Sequence, residues 1–366
     1  MDQIKKFIDC YIPTETCNLR CHYCYITQKR KFNNKLAKFE KSPQFIRRAL
    51  SKERLGGVCL LNLCAGGETL LVEELLDIIY QLLEEGHYIM VVTNGTLTKR
   101  FEQIAKFPKD LLKHLFFKFS FHYLELIRIN KLEEYFRNIE LMKKSGCSFT
   151  VEITPNDELI PYIEDIKKIC MKKLGVLPHI TIARDDAQPE VPVLSKYSYE
   201  EFKKIWSVFD SALFDFKTTI FSKRRKEFCY AGDWMLYLNL VNGEVKQCYR
   251  GKVIQNIYED LNSPIRPLAI GKCCPEPHCY NGHAFLTLGV IPELDTPNYA
   301  EMRNRKNGKE EWLQPEMKQF FSTKLNQSNE IYSNSKKRET AFRNIDLKTK
   351  NYKKKLKNKL RKIIKK

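Results

Sequence analysis

The sequence predicts an α/β protein built on a parallel sheet: an open, partial (β/α)6 barrel, followed by a small cysteine-rich β-hairpin domain and a basic helical or disordered tail. Three observations support this prediction. About six short apolar runs alternate with helical patterns up to residue 185, which is typical of a parallel sheet. A second group of cysteines surrounds a hairpin signal at Asn242-Gly243. Residues 321–366 hold 16 Lys and Arg against three Asp and Glu, and so carry most of the net charge of +19.

The predicted strands are apolar runs, as expected for parallel strands that are buried on both faces. They cover residues 7–12, 57–64, 88–92, 115–119, 148–153 and 179–183. Six strand–helix units favour an open barrel over a closed eightfold one, with ligands bound at the carboxyl ends of the strands.

The composition divides the chain into five regions. They are the barrel (1–190), a linker helix (191–228), the cysteine-rich domain (229–290), a capping segment (291–324) and the basic tail (325–366).

Three cysteines with the spacing C-x3-C-x2-C follow the first strand. Cys17, Cys21 and Cys24 lie within eight residues, so they can bind one metal centre only if the chain wraps around it. A [4Fe–4S] cluster usually takes four cysteines, and three ligands leave one iron open to a group that is not protein. Zinc is the alternative, but it usually takes four ligands, and His22 is hard to aim at the same metal.

Other polar motifs follow the later strands at the same predicted edge of the sheet. Two glycines at a strand-to-helix turn would let the backbone approach a ligand closely. Each motif alone also fits an ordinary turn, and their shared edge favours a common site. The motifs are Gly66, Gly67 and Glu68 after the second strand, Thr93 and Asn94 after the third, and Ser120 at the end of the fourth. Further pocket candidates are His122, Glu152, Asn156 and Arg184.

Together these motifs resemble the radical S-adenosylmethionine (SAM) superfamily, whose C-x3-C-x2-C signature has an aromatic residue before the last cysteine, here Tyr23. The resemblance implies a [4Fe–4S] cluster on the three cysteines, with SAM on its open iron. It also implies that Gly66, Gly67 and Glu68 bind the SAM amino group, that Thr93 and Asn94 line the SAM pocket, and that Ser120 lies near the ribose. Where many members have Asp two residues after Ser120, this chain has His122.

The same resemblance implies a reaction. A flavodoxin- or ferredoxin-type protein would supply one electron, SAM would be cleaved reductively, and the 5′-deoxyadenosyl radical would abstract hydrogen from a substrate. Small molecules, sugar-linked compounds and peptides all fit, and the sequence does not choose between them.

The second cysteine group resembles the auxiliary-cluster domains called SPASM, or twitch in their shorter form. Cys229, Gly243 and Cys248 match the opening pattern C-x13-G-x4-C, and the continuation of the pattern is incomplete. The resemblance therefore implies one auxiliary [4Fe–4S] cluster, with zinc on the same thiols as the alternative. Its ligands would be Cys229, Cys248, Cys279 and either Cys273 or Cys274, with His283 as an alternative.

The remaining cysteines are predicted to be small buried core residues. They are Cys10, Cys59, Cys64, Cys147 and Cys170.

Composition favours the cytoplasm, since 13 cysteines occur without a signal peptide or an apolar run long enough to span a bilayer. In the tail, Tyr352, Leu356, Leu360, Ile363 and Ile364 have helical spacing. A solvated tail is the simplest interpretation, ahead of contact with an anionic inner membrane surface. RNA comes last, because no nucleic-acid-binding module accompanies the tail. The alternatives to an enzyme are a non-catalytic iron–sulfur or zinc scaffold and a nucleic-acid-binding protein acting through the tail.

Overall fold

The computed structural model describes residues 2–272, 274–308, 310–347 and 349. Within them, nine strands form one sheet and two short strands form a separate hairpin. The strands of the large sheet are β1 (Lys6–Ile12), β2 (Cys59–Ala65), β3 (Tyr88–Thr93), β4 (Leu115–Ser120), β5 (Ser148–Ile153), β6 (His179–Ile180), β7 (Met235–Asn239), β8 (Glu244–Lys246) and β9 (Val253–Asn256). The hairpin strands are β10 (Lys306–Asn307) and β11 (Glu310–Glu311).

The large sheet has the strand order β6-β5-β4-β3-β2-β1-β7-β8-β9. All neighbours from β6 to β7 are parallel, while β8 and β9 are antiparallel additions. The predicted parallel central sheet is thus confirmed. The hairpin at Asn242-Gly243 is continuous with this sheet, because β7 pairs with β1 along Phe7–Tyr11.

Helices connect the strands and pack on both faces of the sheet, with α12, α13 and α14 on the inner face. They are α1 (Tyr25–Gln28), α2 (Pro43–Ala49), α3 (Lys52–Leu55), α4 (Leu75–Glu84), α5 (Thr98–Ile104), α6 (Lys109–Leu112), α7 (Tyr123–Arg128), α8 (Leu132–Lys144), α9 (Ile163–Leu174), α10 (Tyr199–Trp206), α11 (Ala212–Ile220), α12 (Gly282–Phe285), α13 (Tyr299–Arg303), α14 (Pro315–Ser322) and α15 (Leu325–Ser328). Short 3-10 helices occupy Thr69–Leu71, Asp157–Tyr162 and Ser207–Phe209. Residues 334–347 form the C-terminal helix. None of the described helices is long and apolar enough to cross a membrane.

Two helical regions are divided in the structure. The segment before α9 is a 3-10 helix that contains Pro161, whose ring removes a backbone donor. The region 191–228, predicted as one linker helix, contains α10 and α11. Asp210 separates them with a left-handed φ of 46°, and the Ser211 side chain caps α11 by accepting a hydrogen bond from the Phe214 amide.

The inner face of the sheet changes from apolar to polar along the barrel. At the amino end, Phe7, Leu60 and Phe116 are buried against the segment after residue 284. There the ring of Tyr88 stacks on Phe320 at 3.7 Å between centroids. Side chains alternate along a strand, so the next inward position on β1 is Asp9, which is paired in register with Asn62 of β2. The apolar end is therefore filled, and polar groups face a cavity above it.

The first part of the predicted tail is folded onto the protein. Leu325 and Tyr332 are buried, and the Tyr332 hydroxyl donates a hydrogen bond to Asp233 at 2.5 Å. The Asn344 amide on the C-terminal helix donates to the Ala269 carbonyl at 2.8 Å. These buried contacts are the reason that residues 325–347 are packed. The amphipathic helix predicted from Tyr352 to Ile364 lies outside the described residues.

Candidate active site

One pocket at the carboxyl edge of the sheet brings together all the residues that the resemblance assigns to the first cluster and SAM. The pocket is lined by Cys17, Cys21, Cys24, Gly66, Gly67, Glu68, Thr93, Asn94 and Ser120. His122 and Val92 lie in the same wall. We call the three thiols the N-terminal cysteine site and the whole pocket the SAM-type pocket.

The two glycines hold the cysteine loop against the sheet. The Gly67 amide donates to the Thr14 carbonyl at 2.5 Å, and the Glu68 amide donates to the Thr16 carbonyl at 3.0 Å. A Cβ on Gly67 would lie 1.9 Å from the Thr16 carbonyl oxygen. The two glycines were predicted to let backbone approach a ligand closely. In the structure, it is the backbone of the cysteine loop that approaches them.

Glu68 is buried and has three hydrogen-bond donors. Its Oε1 accepts from the Thr93 hydroxyl at 2.7 Å and from the Leu70 amide at 3.1 Å, and its Oε2 accepts from the Asn94 amide at 2.7 Å. Burial raises the pKa of Glu68, and the three donors oppose that rise. Thr93 and the Asn94 backbone therefore orient the Glu68 carboxyl group in the pocket.

The Asn94 side chain connects β3 to the cysteine loop. Its Nδ2 donates to Asn18 Oδ1 at 2.8 Å and lies 3.8 Å from Cys17 Sγ. The Leu19 amide donates to the same sulfur at 3.4 Å. Cys17 Sγ thus accepts from two donors, an environment that stabilises negative charge on sulfur.

The thiols of the N-terminal site favour a metal centre as their counter-charge. Burial raises the pKa of Cys17 to about 11 and that of Cys21 to about 12, and it also raises the pKa of Cys24. At neutral pH the free thiols hold their protons, whereas a coordinating metal deprotonates a thiol. Three sulfur donors around one pocket fit an iron–sulfur cluster. Among the described residues, no group of three His, Cys, Asp or Glu side chains is arranged to hold a single ion.

His122, whose role the sequence left open, has a partner next to the cysteines. Its Nδ1 lies 2.7 Å from the Tyr23 hydroxyl. Burial lowers the pKa of His122 to about 4, so the ring is neutral at pH 7 and pairs with Tyr23 as a neutral group.

The second group of cysteines also converges. Burial raises the pKa of Cys229, and the thiols of Cys279, Cys248 and Cys274 raise it further because they are close. We call these four the C-terminal cysteine site. Cys273 lies outside the described residues, so the choice between Cys273 and Cys274 as the fourth ligand stays a prediction. The structure places His283 in the cavity at the barrel centre.

A backbone feature unites the two cysteine sites. Burial raises the pKa of six of these thiols, and in each case the backbone amide two residues further along opposes that rise. The pairs of cysteine and amide are Cys17 and Leu19, Cys24 and Ile26, Cys229 and Ala231, Cys248 and Arg250, Cys274 and Glu276, and Cys279 and Asn281. At Cys17 this amide donates a hydrogen bond to the sulfur at 3.4 Å. Sequence spacing gives no signal for this effect, because it depends on the backbone turn after each cysteine.

Four of the five cysteines predicted to be core residues are buried away from both cysteine sites. Cys10, Cys59, Cys147 and Cys170 are fully buried. Cys59 Sγ donates to the Gly57 carbonyl at 3.4 Å. The prediction was wrong for Cys64, which is only partly buried and lines the barrel cavity, because its place on β2 points it inwards with Asn62.

A cavity in the barrel, the central cavity, separates the two cysteine sites. Its polar lining includes Asp9, Asn62, Lys118, Arg184, His283 and Arg303. Val92 lines both this cavity and the SAM-type pocket. On the other side the lining includes Tyr249, next to Cys248, and Asn281, two residues after Cys279.

Two other predicted pocket residues have partners in the structure. Glu152 is buried behind the central cavity, where it forms ion pairs with Arg303 and, at 3.1 Å, with Lys118. Asn156 is buried and donates a hydrogen bond to the Thr154 carbonyl at 3.3 Å.

The fold is that of an α/β protein with a parallel central sheet and a cysteine-lined pocket at its carboxyl edge. Residues 11–167 match the family model described as the radical SAM superfamily. This part of the chain is therefore similar to radical SAM domains, a family whose members hold a [4Fe–4S] cluster and SAM. Comparison with curated proteins finds no match.

Several solved structures are similar to this chain at low identity. The first is SuiB of Streptococcus suis bound to S-adenosylmethionine, with 13% identity, a TM-score of 0.49, and coverage of 71% of this chain and 64% of SuiB. The chain thus spans less than two thirds of SuiB. Another is anSMEcpe with bound AdoMet, with 17% identity, a TM-score of 0.49 and coverage of 70% and 76%. BtrN in complex with AdoMet and 2-DOIA has 13% identity, a TM-score of 0.32 and coverage of 71% and 80%. Similarity at this level carries no information on the substrate of this chain.

Proposed function

We propose that this protein is a radical SAM enzyme with two [4Fe–4S] clusters, which acts on a substrate held in the central cavity. The observation that carries the proposal is the lining of this cavity, which shares Val92 with the SAM-type pocket and includes Tyr249, next to Cys248, and Asn281, two residues after Cys279. When bound, the first cluster would supply the electron that cleaves SAM, and the 5′-deoxyadenosyl radical would take a hydrogen atom from the substrate.

The residues of the SAM-type pocket would position SAM. Cys17, Cys21 and Cys24 would hold the cluster and leave one iron open. Glu68, already oriented by Thr93, would accept the amino group of SAM together with the backbone of Gly66 and Gly67. Ser120 and Asn94 would line the rest of the pocket, and the wall shared at Val92 would bring the substrate next to the radical.

The C-terminal cysteine site would hold the auxiliary cluster. Four described thiols, Cys229, Cys248, Cys274 and Cys279, would complete its ligand set from the protein alone. Burial raises the pKa of each of the four thiols, and a backbone amide two residues further along opposes that rise, which would favour the thiolate form. A cluster next to the central cavity could accept an electron from a substrate radical.

The remaining assignments concern the surroundings of the enzyme. A flavodoxin- or ferredoxin-type protein would supply the electron, and a reducing cytoplasm would keep both clusters intact. Residues 350–366 would contact an anionic membrane surface rather than nucleic acid, since their charge comes without a nucleic-acid-binding module.

Anaerobic reconstitution tests the proposal. We expect about eight irons per chain, as two [4Fe–4S] clusters require, and dithionite-dependent formation of 5′-deoxyadenosine. The triple variant Cys17→Ala, Cys21→Ala, Cys24→Ala should keep about four irons and form no 5′-deoxyadenosine. Cys170→Ala, which alters a buried thiol on α9, is the matched control and should behave as the parent.

Two results would contradict the proposal in different ways. SAM cleavage that persists in the triple variant would remove the radical SAM assignment. Zinc in place of about four of the irons would contradict the assignment of an auxiliary cluster. The assignment of the first site would be unaffected. A chain that binds iron but never cleaves SAM would support the non-catalytic scaffold.

A further inference from the structure

The lining of the central cavity is unbalanced in charge. Among the described residues that line it, Lys118, Arg184 and Arg303 have basic side chains and Asp9 is the one carboxylate. Burial lowers the pKa of Lys118 to about 7, because a buried charge is costly unless opposite charge compensates it. The wall therefore holds more basic than acidic groups, and a bound anion would favour the protonated form of Lys118.

The partners behind the wall reduce this imbalance only in part. Glu152 forms ion pairs with both Lys118 and Arg303, so one carboxylate serves two cations. Arg184 lies 4.0 Å from Asp186, which is also 3.9 Å from Lys29. Each acid behind the wall is shared between two cations.

A further buried basic side chain lies beside this group, and burial lowers its pKa well below the usual range. Lys217 on α11 is buried, and its described partner is the neutral hydroxyl of Thr181. Burial lowers the pKa of His283, and the neighbouring Lys217, Lys118 and Arg184 lower it further. The ring of His283 is therefore neutral and lies among three basic side chains.

Two buried polar atoms at the cavity wall have no partner within the described part of the chain. They are Nδ1 of His283, a residue that is 7% exposed, and Nε of Arg303, which is 1% exposed. Buried polar groups almost always have a hydrogen-bond partner. A ligand atom in the cavity would satisfy either of them.

We propose that the central cavity binds an anionic substrate, whose carboxylate or phosphate group lies between Lys118, Arg184 and His283. This inference rests on the proposed function, because it concerns the substrate of the same site. An oxyanion supplies the negative charge that the wall lacks, and Arg184 and Lys118 are donors that bind carboxylates and phosphates well. The Nδ1–H tautomer of His283 would give a third donor.

Binding of inorganic phosphate and of acetate to the reconstituted enzyme with SAM present tests this proposal. Both anions should bind, and the tighter of the two identifies a phosphate-bearing or a carboxylate-bearing substrate. Arg184→Gln and Lys118→Met should each weaken anion binding about tenfold or more, the loss expected for a hydrogen bond to a charged group. Arg184→Lys should keep most of the affinity.

Two further variants guard against misfolding and against adsorption to the basic surface. Asp9→Asn removes the negative charge of the wall, so it should tighten anion binding, a gain that a misfolded protein would not show. Arg47→Gln changes a partly exposed arginine that pairs with Glu85 on the outer helices, and it should leave anion binding unchanged.

The outcomes separate this inference from the proposed function. If SAM is cleaved but neither anion binds, or if Arg184→Gln and Arg47→Gln weaken binding equally, the anionic substrate is excluded and the radical SAM assignment stands. If anion binding follows the expected pattern but SAM is not cleaved, the cavity chemistry stands and the proposed function fails.

Discussion

The two cysteine sites differ in where their donors come from. At the N-terminal cysteine site, three thiols share a pocket with Glu68 and Asn94, so protein sulfur supplies only part of a cluster's ligands. At the C-terminal cysteine site, four described thiols lie together. Under the proposed function, the first site would leave one coordination position of its cluster free, and the second would be closed by protein ligands alone.

The structural support of the two sites differs in the same way. The N-terminal loop is held by backbone bonds from Gly67 and Glu68 and by the side chain of Asn94. The C-terminal site uses segments brought in from several turns, including the backbone bridge between Cys229 and Gly271. Since β7 pairs with β1, one sheet supports both sites, and the central cavity lies between them.

The largest expected effect separates the roles of the two sites. Cys21→Ala should lower the iron content to about four per chain and abolish SAM cleavage. Cys274→Ala should lower the iron content equally, while dithionite-driven 5′-deoxyadenosine formation persists, because the open iron belongs to the other site. Iron analysis and product quantification check both variants. Loss of SAM cleavage to the same extent in both would remove the distinction.

A second prediction compares one glycine at each site. Gly67→Ala would place a Cβ 1.9 Å from a backbone oxygen, so the cysteine loop must move. We expect a loss of about 3 kcal/mol or more in stability, with loss of SAM binding. Melting curves and SAM equilibrium dialysis measure these effects.

Gly282→Ala is the counterpart at the C-terminal site. Its Cβ would approach the end of the flexible Ile220 side chain at 2.9 Å, which can move aside. We expect a cost of about 1 kcal/mol and unchanged SAM binding. A larger loss in Gly282→Ala than in Gly67→Ala would contradict this account of how each site is supported.

The sequence predicted the N-terminal site better than its surroundings, because the residues that define this site are recognisable from short segments of the chain. Cys17, Cys21 and Cys24 are close in the chain, and the motifs that face them each follow a strand of one parallel sheet. Strand order then places Gly67, Asn94 and Ser120 at one edge without any knowledge of side-chain packing. The pocket gathers these residues as predicted, although their roles toward SAM stay proposals.

The central cavity could not be predicted in this way. Arg303, on α13, pairs with Glu152 of β5 across 151 positions, and local periodicity carries no signal for such a pair. The pairing of β7 with β1 and the packing of Tyr332 against Asp233 are long-range for the same reason. Side-chain burial after folding, not residue spacing, decides these contacts.

A third prediction concerns Asp9, in the cavity between the two sites. Burial raises its pKa from 3.8 to about 6. Because the folded value lies above the unfolded one, the stability that neutral Asp9 provides is complete below pH 3.8 and is lost as the pH rises through 6. Asp9→Asn should therefore stabilise the protein at pH 8, by at most about 3 kcal/mol, and less at pH 5.

Melting temperatures of the reconstituted protein at the two pH values test this. Asp110→Asn, which alters a carboxylate that is 93% exposed, is the control. It should change the melting temperature by the same small amount at both pH values. A gain for Asp9→Asn that does not grow with pH would show that desolvation of Asp9 is not its source.

The smallest expected effect tests the side-chain donor found at the N-terminal site. Asn94→Ala removes the Nδ2 group that lies 3.8 Å from Cys17 Sγ. Hydrogen bonds to sulfur raise the reduction potential of a cluster, since they stabilise the more negative state. A bond worth about 1 kcal/mol corresponds to about 40 mV for one electron, and the potential should fall by at most that amount.

Redox titration in a Cys274→Ala background would isolate the N-terminal cluster. Asn18→Ala is the matched control, because it breaks the Asn94–Asn18 bond of 2.8 Å and leaves the Asn94 donor beside the sulfur. An equal shift in both variants would assign the effect to movement of the loop instead of the N–H···S contact. A shift in Asn94→Ala alone would show that a side-chain donor tunes the potential of the first site.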